Sequence, residues 1–71
     1  MNIDQLEILL AVSELGSFSE AALSLSISQS AVSRAIASLE DELGVPLLLR
    51  GRFGARPTLI GERVMLHARK I

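Results

Sequence analysis

Residues 28–40 read Ser28-Gln29-Ser30-Ala31-Val32-Ser33-Arg34-Ala35-Ile36-Ala37-Ser38-Leu39-Glu40. Val32, Ile36, Leu39 and then Leu43 recur at helical spacing, which predicts one buried stripe on a helix from about Gln29 to Leu43. Ser28 is a good N-cap, because its hydroxyl can accept from a free first-turn amide. Gly44 stops the pattern, with Pro46 just beyond. The outer side of the first turns carries small hydrogen-bonding groups and one arginine. A helix start of that kind can lie in a DNA major groove. There Gln and Arg meet base edges with two hydrogen bonds each, and Ser reaches phosphate.

Gln29 is the leading base-reading candidate, since its amide can donate to and accept from adenine. Arg34 can fork onto guanine or onto phosphate. Its plainer reading is an ion pair with Glu40 or Asp41. Those acids lie six and seven residues on, beyond the usual i, i+4 pairing. Ser28 and Ser33 are phosphate candidates, and Ser30 is a base or phosphate candidate. Ser28 also has its capping duty, and free amides at a helix start favour an anion on their own. For Gln29 the plainer reading is an ordinary solvent-exposed helix residue, and for Ser28 the cap alone.

Working outward, Ser26-Ile27-Ser28 reads as a turn, with Ile27 expected to plug the angle between two helices. Before it lies a short helix, roughly Phe18 to Leu25, expected to bury Phe18, Ala22 and Leu25. Ser17 stands three residues before Glu20, the spacing of a capping box. Ile3 to Leu15 reads as the first helix, on Ile3, Leu6, Leu9, Leu10 and Val12, with Gly16 as its C-cap. Ile8 through Val12 are all apolar, wider than one stripe needs, which predicts a second buried face, with a partner chain as one occupant. Two helices joined by so short a turn make a helix-turn-helix unit.

After Pro46, Leu47 to Arg50 reads as a strand, Gly51 to Ala55 as a loop, and Arg56-Pro57 as a return strand. Arg50, Arg52 and Arg56 bracket this hairpin, or wing. They are candidates for DNA backbone or minor-groove contact beside a major-groove site. The plainer reading is a solvated loop; Arg52 is preferred for DNA, and Arg50 and Arg56 stand evenly between DNA and structure. Thr58 can cap a last helix, Leu59 to Ile71, with Ile60, Val64, Ala68 and Ile71 in one stripe and Met65 beside it.

Seventy-one residues make one small domain, which buries only about 60% of the surface its unfolded chain exposes. The chain is 49% hydrophobic with only Phe18 and Phe53 as aromatics, so the core must be aliphatic. No cysteine is present, which removes disulfides and thiolate metal sites, and His67 alone makes no metal site. No apolar run approaches the roughly 20 residues of a membrane span. Met1 to Asp4 lacks a secretory start, so a cytoplasmic, nucleoid-associated protein is expected.

Net charge is −1, but its distribution is uneven. Residues 1–49 hold one cation, Arg34, against seven acids; residues 50–71 hold six cations against Glu62 alone. Such asymmetry points to one face meeting a polyanion. Arg63, Arg69 and Lys70 read as the solvated side of the last helix. No Ser/His/Asp geometry or phosphate-loop spacing can be argued, and the carboxylates fall on outer helix faces, so an enzyme is not expected. The rivals are a helical protein-interaction module using the Ile8–Val12 face and the last helix, and a winged helix holding only the DNA backbone.

These residues resemble the DNA-binding domain of the LysR-type transcriptional regulators. The resemblance is carried by Leu6, Gly16-Ser17-Phe18-Ser19, Ala21-Ala22, Leu25, Ser28 to Arg34, Ile36, Leu39-Glu40, Leu43-Gly44, Leu47, Arg50, Thr58, Gly61-Glu62 and His67-Ala68. It implies a mainly α fold: a winged helix-turn-helix of three helices and a short β-hairpin over residues 1–58. A linker helix that pairs two subunits then begins at 59–71. It further implies binding to double-stranded DNA at promoter inverted repeats, as a homodimer through the last helix, with tetramers left open. No cofactor is implied. Small-molecule effectors act on a second domain, expected to be absent from this chain. Three departures stand out: Ser30 replaces a common proline, Leu48-Leu49 replace Phe and a polar residue, and Phe53-Gly54 stand where consecutive basic residues are usual. Arg52, one position earlier, is the candidate for the wing-tip role.

Overall fold

The computed structural model describes residues 2–68. Arg69, Lys70 and Ile71, which the sequence reading places on the last helix, lie outside the described residues. Helix α1 (Ile3–Leu15), α2 (Phe18–Leu25) and α3 (Gln29–Leu43) are followed by β1 (Leu48–Gly51), β2 (Gly54–Pro57) and α4 (Leu59–Ala68). The expected mainly α winged helix-turn-helix with a following helix is therefore the observed architecture.

Each helix begins at a local cap, and α1, α2 and α3 also end at one. Asn2 accepts from the Gln5 amide at 2.8 Å, and the Gln5 side chain accepts from the Asn2 amide at 3.1 Å, a full capping box. Ser17 accepts from the Glu20 amide at 3.2 Å, but the reciprocal half expected of Glu20 is not made; the Ser17 hydroxyl pairs instead with Ser19 at 3.0 Å. Ser28 caps α3 through the Ala31 amide at 3.0 Å, and Thr58 caps α4 through the Gly61 amide at 2.9 Å. Gly16 and Gly44 end α1 and α3 in the left-handed region.

The α2–α3 turn departs from expectation. Ile27 is 38% exposed and closes the angle only in part, lining a groove with Ile8, Leu25 and Ala31. Ser26, at φ 58°, closes the turn, with the Ile27 amide donating to the Ala22 carbonyl at 3.0 Å. Leu25 is only half-buried, and Leu43, 37% exposed, sits past the end of the α3 core contact.

Leu9, Val12, Val32, Ile36, Leu39 and Leu47 form the fully buried centre. The wide apolar run of α1 is used within this chain: Ile8, Leu10 and Ala11 pack against the same core, and α1 meets α2, α3, α4 and β2. The second face predicted at Ile8–Val12 is thus used in large part within this chain, and the interaction-module rival loses much of it. Ile3, by contrast, is largely exposed. On α4 the inward face is Gly61, Val64, Met65 and Ala68; of the expected stripe Val64 and Ala68 face inward, whereas Ile60 is 46% exposed and Ile71 lies outside the described residues. Gly61 is what allows this. A Cβ there would collide with the Leu47 carbonyl, so α4 lies directly on the chain entering β1.

The hairpin is longer than the sequence reading placed it. Leu48 pairs with Pro57, Leu49 with Arg56, Arg50 with Ala55 and Gly51 with Gly54, leaving Arg52-Phe53 as a two-residue turn. Leu47 stays outside the ladder because its carbonyl accepts from the Thr58 amide at 2.9 Å and its own amide is taken by Glu40. One Glu40 oxygen accepts from the Leu47 amide at 2.7 Å and from the Leu48 amide at 3.2 Å. Glu40 is therefore not an idle outer-face carboxylate; it ties the end of α3 to the base of the wing. Glu40→Ala is expected to lower stability by about 2 kcal/mol, with Glu40→Gln intermediate, because hydrogen bonds to a charged acceptor are the stronger kind and their loss strands buried amides. Thermal melting of the two variants checks the order.

Candidate nucleic-acid interface

The surface of interest is built from the start of α3, the start of α2 and the wing. On α3, inward-facing Val32, Ile36 and Leu39 fix the rotation of the helix. That rotation leaves Ser28, Gln29, Ser30, Arg34 and Ala37 exposed and Ser33 half-buried. Ser30, Arg34 and Ala37 follow one another along the outer face, with Ser33 on its flank. Neither the Gln29 nor the Arg34 side chain has a hydrogen bond or ion pair with another described residue. Glu40, offered as a partner for Arg34, is engaged with the wing amides instead. The Ser28 hydroxyl is committed to the cap and lies 3.1 Å from the Ser30 hydroxyl.

The three wing arginines, equivalent in sequence, are not equivalent in space. Paired residues on adjacent strands share a face. Arg50 pairs with buried Ala55, so it stands on the core side of the hairpin, where its guanidinium carbon lies 3.9 Å from the Phe18 ring centroid. Arg56 pairs with Leu49, 54% exposed, on the outer side, and its guanidinium carbon lies 4.3 Å from the Phe53 ring centroid. Arg52 is exposed in the turn itself.

Arg50 thereby joins Gln29 in a groove also lined by Ser17, Phe18, Ser19, Gly51 and Gly54. Stacking on Phe18 occupies the face of the guanidinium and leaves its N–H edges free, the geometry that suits phosphate. Ser17 and Ser19 were not among the sequence candidates. Their signal was present: Ser-x-Ser opens both α2 and α3, and each pair brings two hydroxyls to a helix start. The wing is held to this groove by the Ala55 amide donating to the Gly16 carbonyl at 3.0 Å.

Charge follows the same division. Arg34, Arg50, Arg52 and Arg56 belong to the first half of α3 and the wing, whereas Glu40, Asp41 and Glu42 close the far end of α3. A polyanion is attracted to one end of the helix and repelled at the other. Among the described residues no three His, Cys, Asp or Glu side chains gather as a metal site, and no helix is long and apolar enough to cross a membrane.

The family model described as bacterial regulatory helix-turn-helix protein, lysR family, matches residues 3–62. The chain belongs to the LysR family. It is the helix-turn-helix DNA-binding domain of such a regulator and not an enzyme. It is 70% identical over 71 residues to a probable HTH-type transcriptional regulator LrrA of Synechococcus elongatus, covering 100% of this chain and 24% of that protein. It is 44% identical to a probable nitrogen assimilation transcriptional activator of the same organism, again over 100% of this chain and 23% of that protein. The chain thus spans about a quarter of the length of these curated LysR relatives.

Among solved structures, the DNA-binding domain of CbnR in complex with DNA superposes with a TM-score of 0.93 at 37% identity, covering 99% of this chain and 80% of that one. The BenM DNA-binding domain on catB site 1 DNA also reaches 0.93, at 40% identity, covering 99% and 79%. The expected LysR-type winged helix-turn-helix is thereby established for this chain.

Proposed function

We propose that this domain binds promoter inverted repeats sequence-specifically, as a homodimer, with α3 in the major groove and the wing on the flanking backbone or minor groove. The observation that carries the reading is one groove: Gln29, whose side chain has no partner among the described residues, lines it together with Arg50 seated on Phe18, and Arg34 stands exposed on the same helix as Gln29. Gln29 is the base reader. Arg34 reads a base or holds a phosphate. Ser28, Ser30 and Ser33, with Arg50, Arg52 and Arg56, hold the backbone. The CbnR and BenM domains, so similar in fold, are seen on DNA, which supports the same use here.

Residues 1–58 form the DNA-binding unit and 59–71 begin the linker helix that pairs two copies. Exposed Leu59, Ile60 and Leu66 on α4, and a groove of Ile3, Leu6, Leu10 and Ala68 edged by Glu7, supply surface for that pairing. Two-fold pairing presents two α3 helices to related half-sites. The domain acts in the cytoplasm, on the nucleoid.

Selection from a random duplex library, followed by a salt series on the winning site, tests the reading. The expected winner contains an inverted repeat with half-sites about one helical turn, or a multiple, apart. It should bind at least about a thousandfold tighter than random duplex, and the affinity should fall steeply with salt. A library that yields no preferred site overturns sequence-specific binding, and a single unrepeated half-site overturns the dimer.

A further inference from the structure

The turn of the wing carries a half-exposed phenylalanine that the core does not use. Its ring is not free. A Cβ built on Gly51 would meet the Phe53 ring at 2.8 Å, so the ring lies folded back along the hairpin against the Gly51 backbone. The Arg56 guanidinium carbon sits 4.3 Å from the ring centroid. Arg56 belongs to the outer face of β2, opposite Leu49, and a fully extended side chain there would leave the hairpin sideways. Instead its charge is held against the ring of Phe53, a residue of the turn.

We propose that Phe53 is a positioning residue for DNA contact: it seats the Arg56 guanidinium at the wing tip, where that group holds a backbone phosphate. This rests on the DNA-binding reading and adds to it a residue with no charge and no hydrogen-bonding side chain. The chemistry favours the arrangement. An aromatic face takes only the face of a guanidinium, so the five N–H donors remain available for phosphate oxygens. A long arginine side chain that is already placed also loses less freedom on binding than one that must be immobilised.

The test uses the 71-residue chain and a fluorescently labelled duplex of random sequence, with anisotropy read over a salt series. Arg56→Ala is expected to weaken binding about threefold to tenfold and to reduce the slope of log K against log salt by about 0.9, the loss of one phosphate contact. Phe53→Ala, which keeps every charge, should still weaken binding about threefold or more, because the guanidinium then has to be immobilised on binding. Phe53→Tyr should bind like the parent. The double variant should be no weaker than Arg56→Ala alone, since the ring acts only through the arginine. A ring that merely shaped the hairpin would lower affinity in the Arg56→Ala background too. Multiplicative losses in the double variant, or parental affinity in either single variant, overturn the proposal. A parent chain that fails to bind any duplex overturns the DNA reading as well.

Discussion

Gly54→Ala is expected to lower the thermal midpoint of this domain by roughly 15 °C, on about 3 kcal/mol of lost stability and the usual 4–8 °C per kcal/mol for a domain of this size. Two effects add at this one position. Gly54 has φ +100°, a backbone region that costs a side chain of its own accord. The added methyl would also collide with the Gly16 carbonyl oxygen, the acceptor for the Ala55 amide at 3.0 Å. The clash is with backbone, so no side chain can swing away. Either the wing lifts from the α1–α2 turn, losing that hydrogen bond, or the turn itself shifts.

Gly44→Ala separates the two causes. Gly44 has φ +72° but nothing within 4 Å of its missing Cβ, so only the backbone cost remains, about 1 kcal/mol. Circular dichroism melts of both variants should therefore differ by about 2 kcal/mol, the overpacking share. Equal melts would mean that the wing is not pressed against Gly16 in solution.

Gln29→Ala and Arg34→Ala are expected to weaken binding to the selected DNA site about tenfold or more, since a good bidentate base contact is worth about 1–3 kcal/mol of discrimination. The two are distinguishable. Gln29 carries no charge, so its loss should leave affinity for random duplex and the salt slope close to the parent's. Arg34→Ala has two signatures. If the guanidinium reads guanine, discrimination falls and random-duplex affinity changes little. If it holds phosphate, both affinities fall together and the slope drops by about one contact. Neither side chain has an intramolecular partner among the described residues, so neither variant should lose much stability. Parental discrimination in both variants would show that α3 is not the reading element.

Helix boundaries were legible because their causes are local. A cap acts across three residues, and Ser17, Ser28, Thr58, Gly16 and Gly44 can be read without knowing what lies elsewhere. Even the unforeseen box at α1 was visible as Asn2 and Gln5. Burial along α3 was legible as far as Leu39 because one stripe faces one core. It failed at Leu43 and Ile60, where helix ends outrun the partner surface, and in part at Ile27, which the turn leaves 38% exposed.

The candidate site divides the same way. Gln29, Ser30 and Arg34 were assignable from the chain because their direction follows from the phase of Val32, Ile36 and Leu39 on the same helix. The wing was not. Which arginine faces the groove depends on strand register, and register here is held by contacts between residues far apart in the chain: Glu40 with the Leu47 and Leu48 amides, Gly16 with Ala55, and Gly61 against Leu47. Only the tertiary structure sent Arg50 to Phe18 and Arg56 to Phe53, and it brought Ser17 and Ser19 into the groove beside Gln29. Sequence by itself determined the helices and the family, since capping and periodicity act within a few residues. The direction of each wing charge was decided by packing, because a strand residue's face is set by what its partner strand and the core present to it.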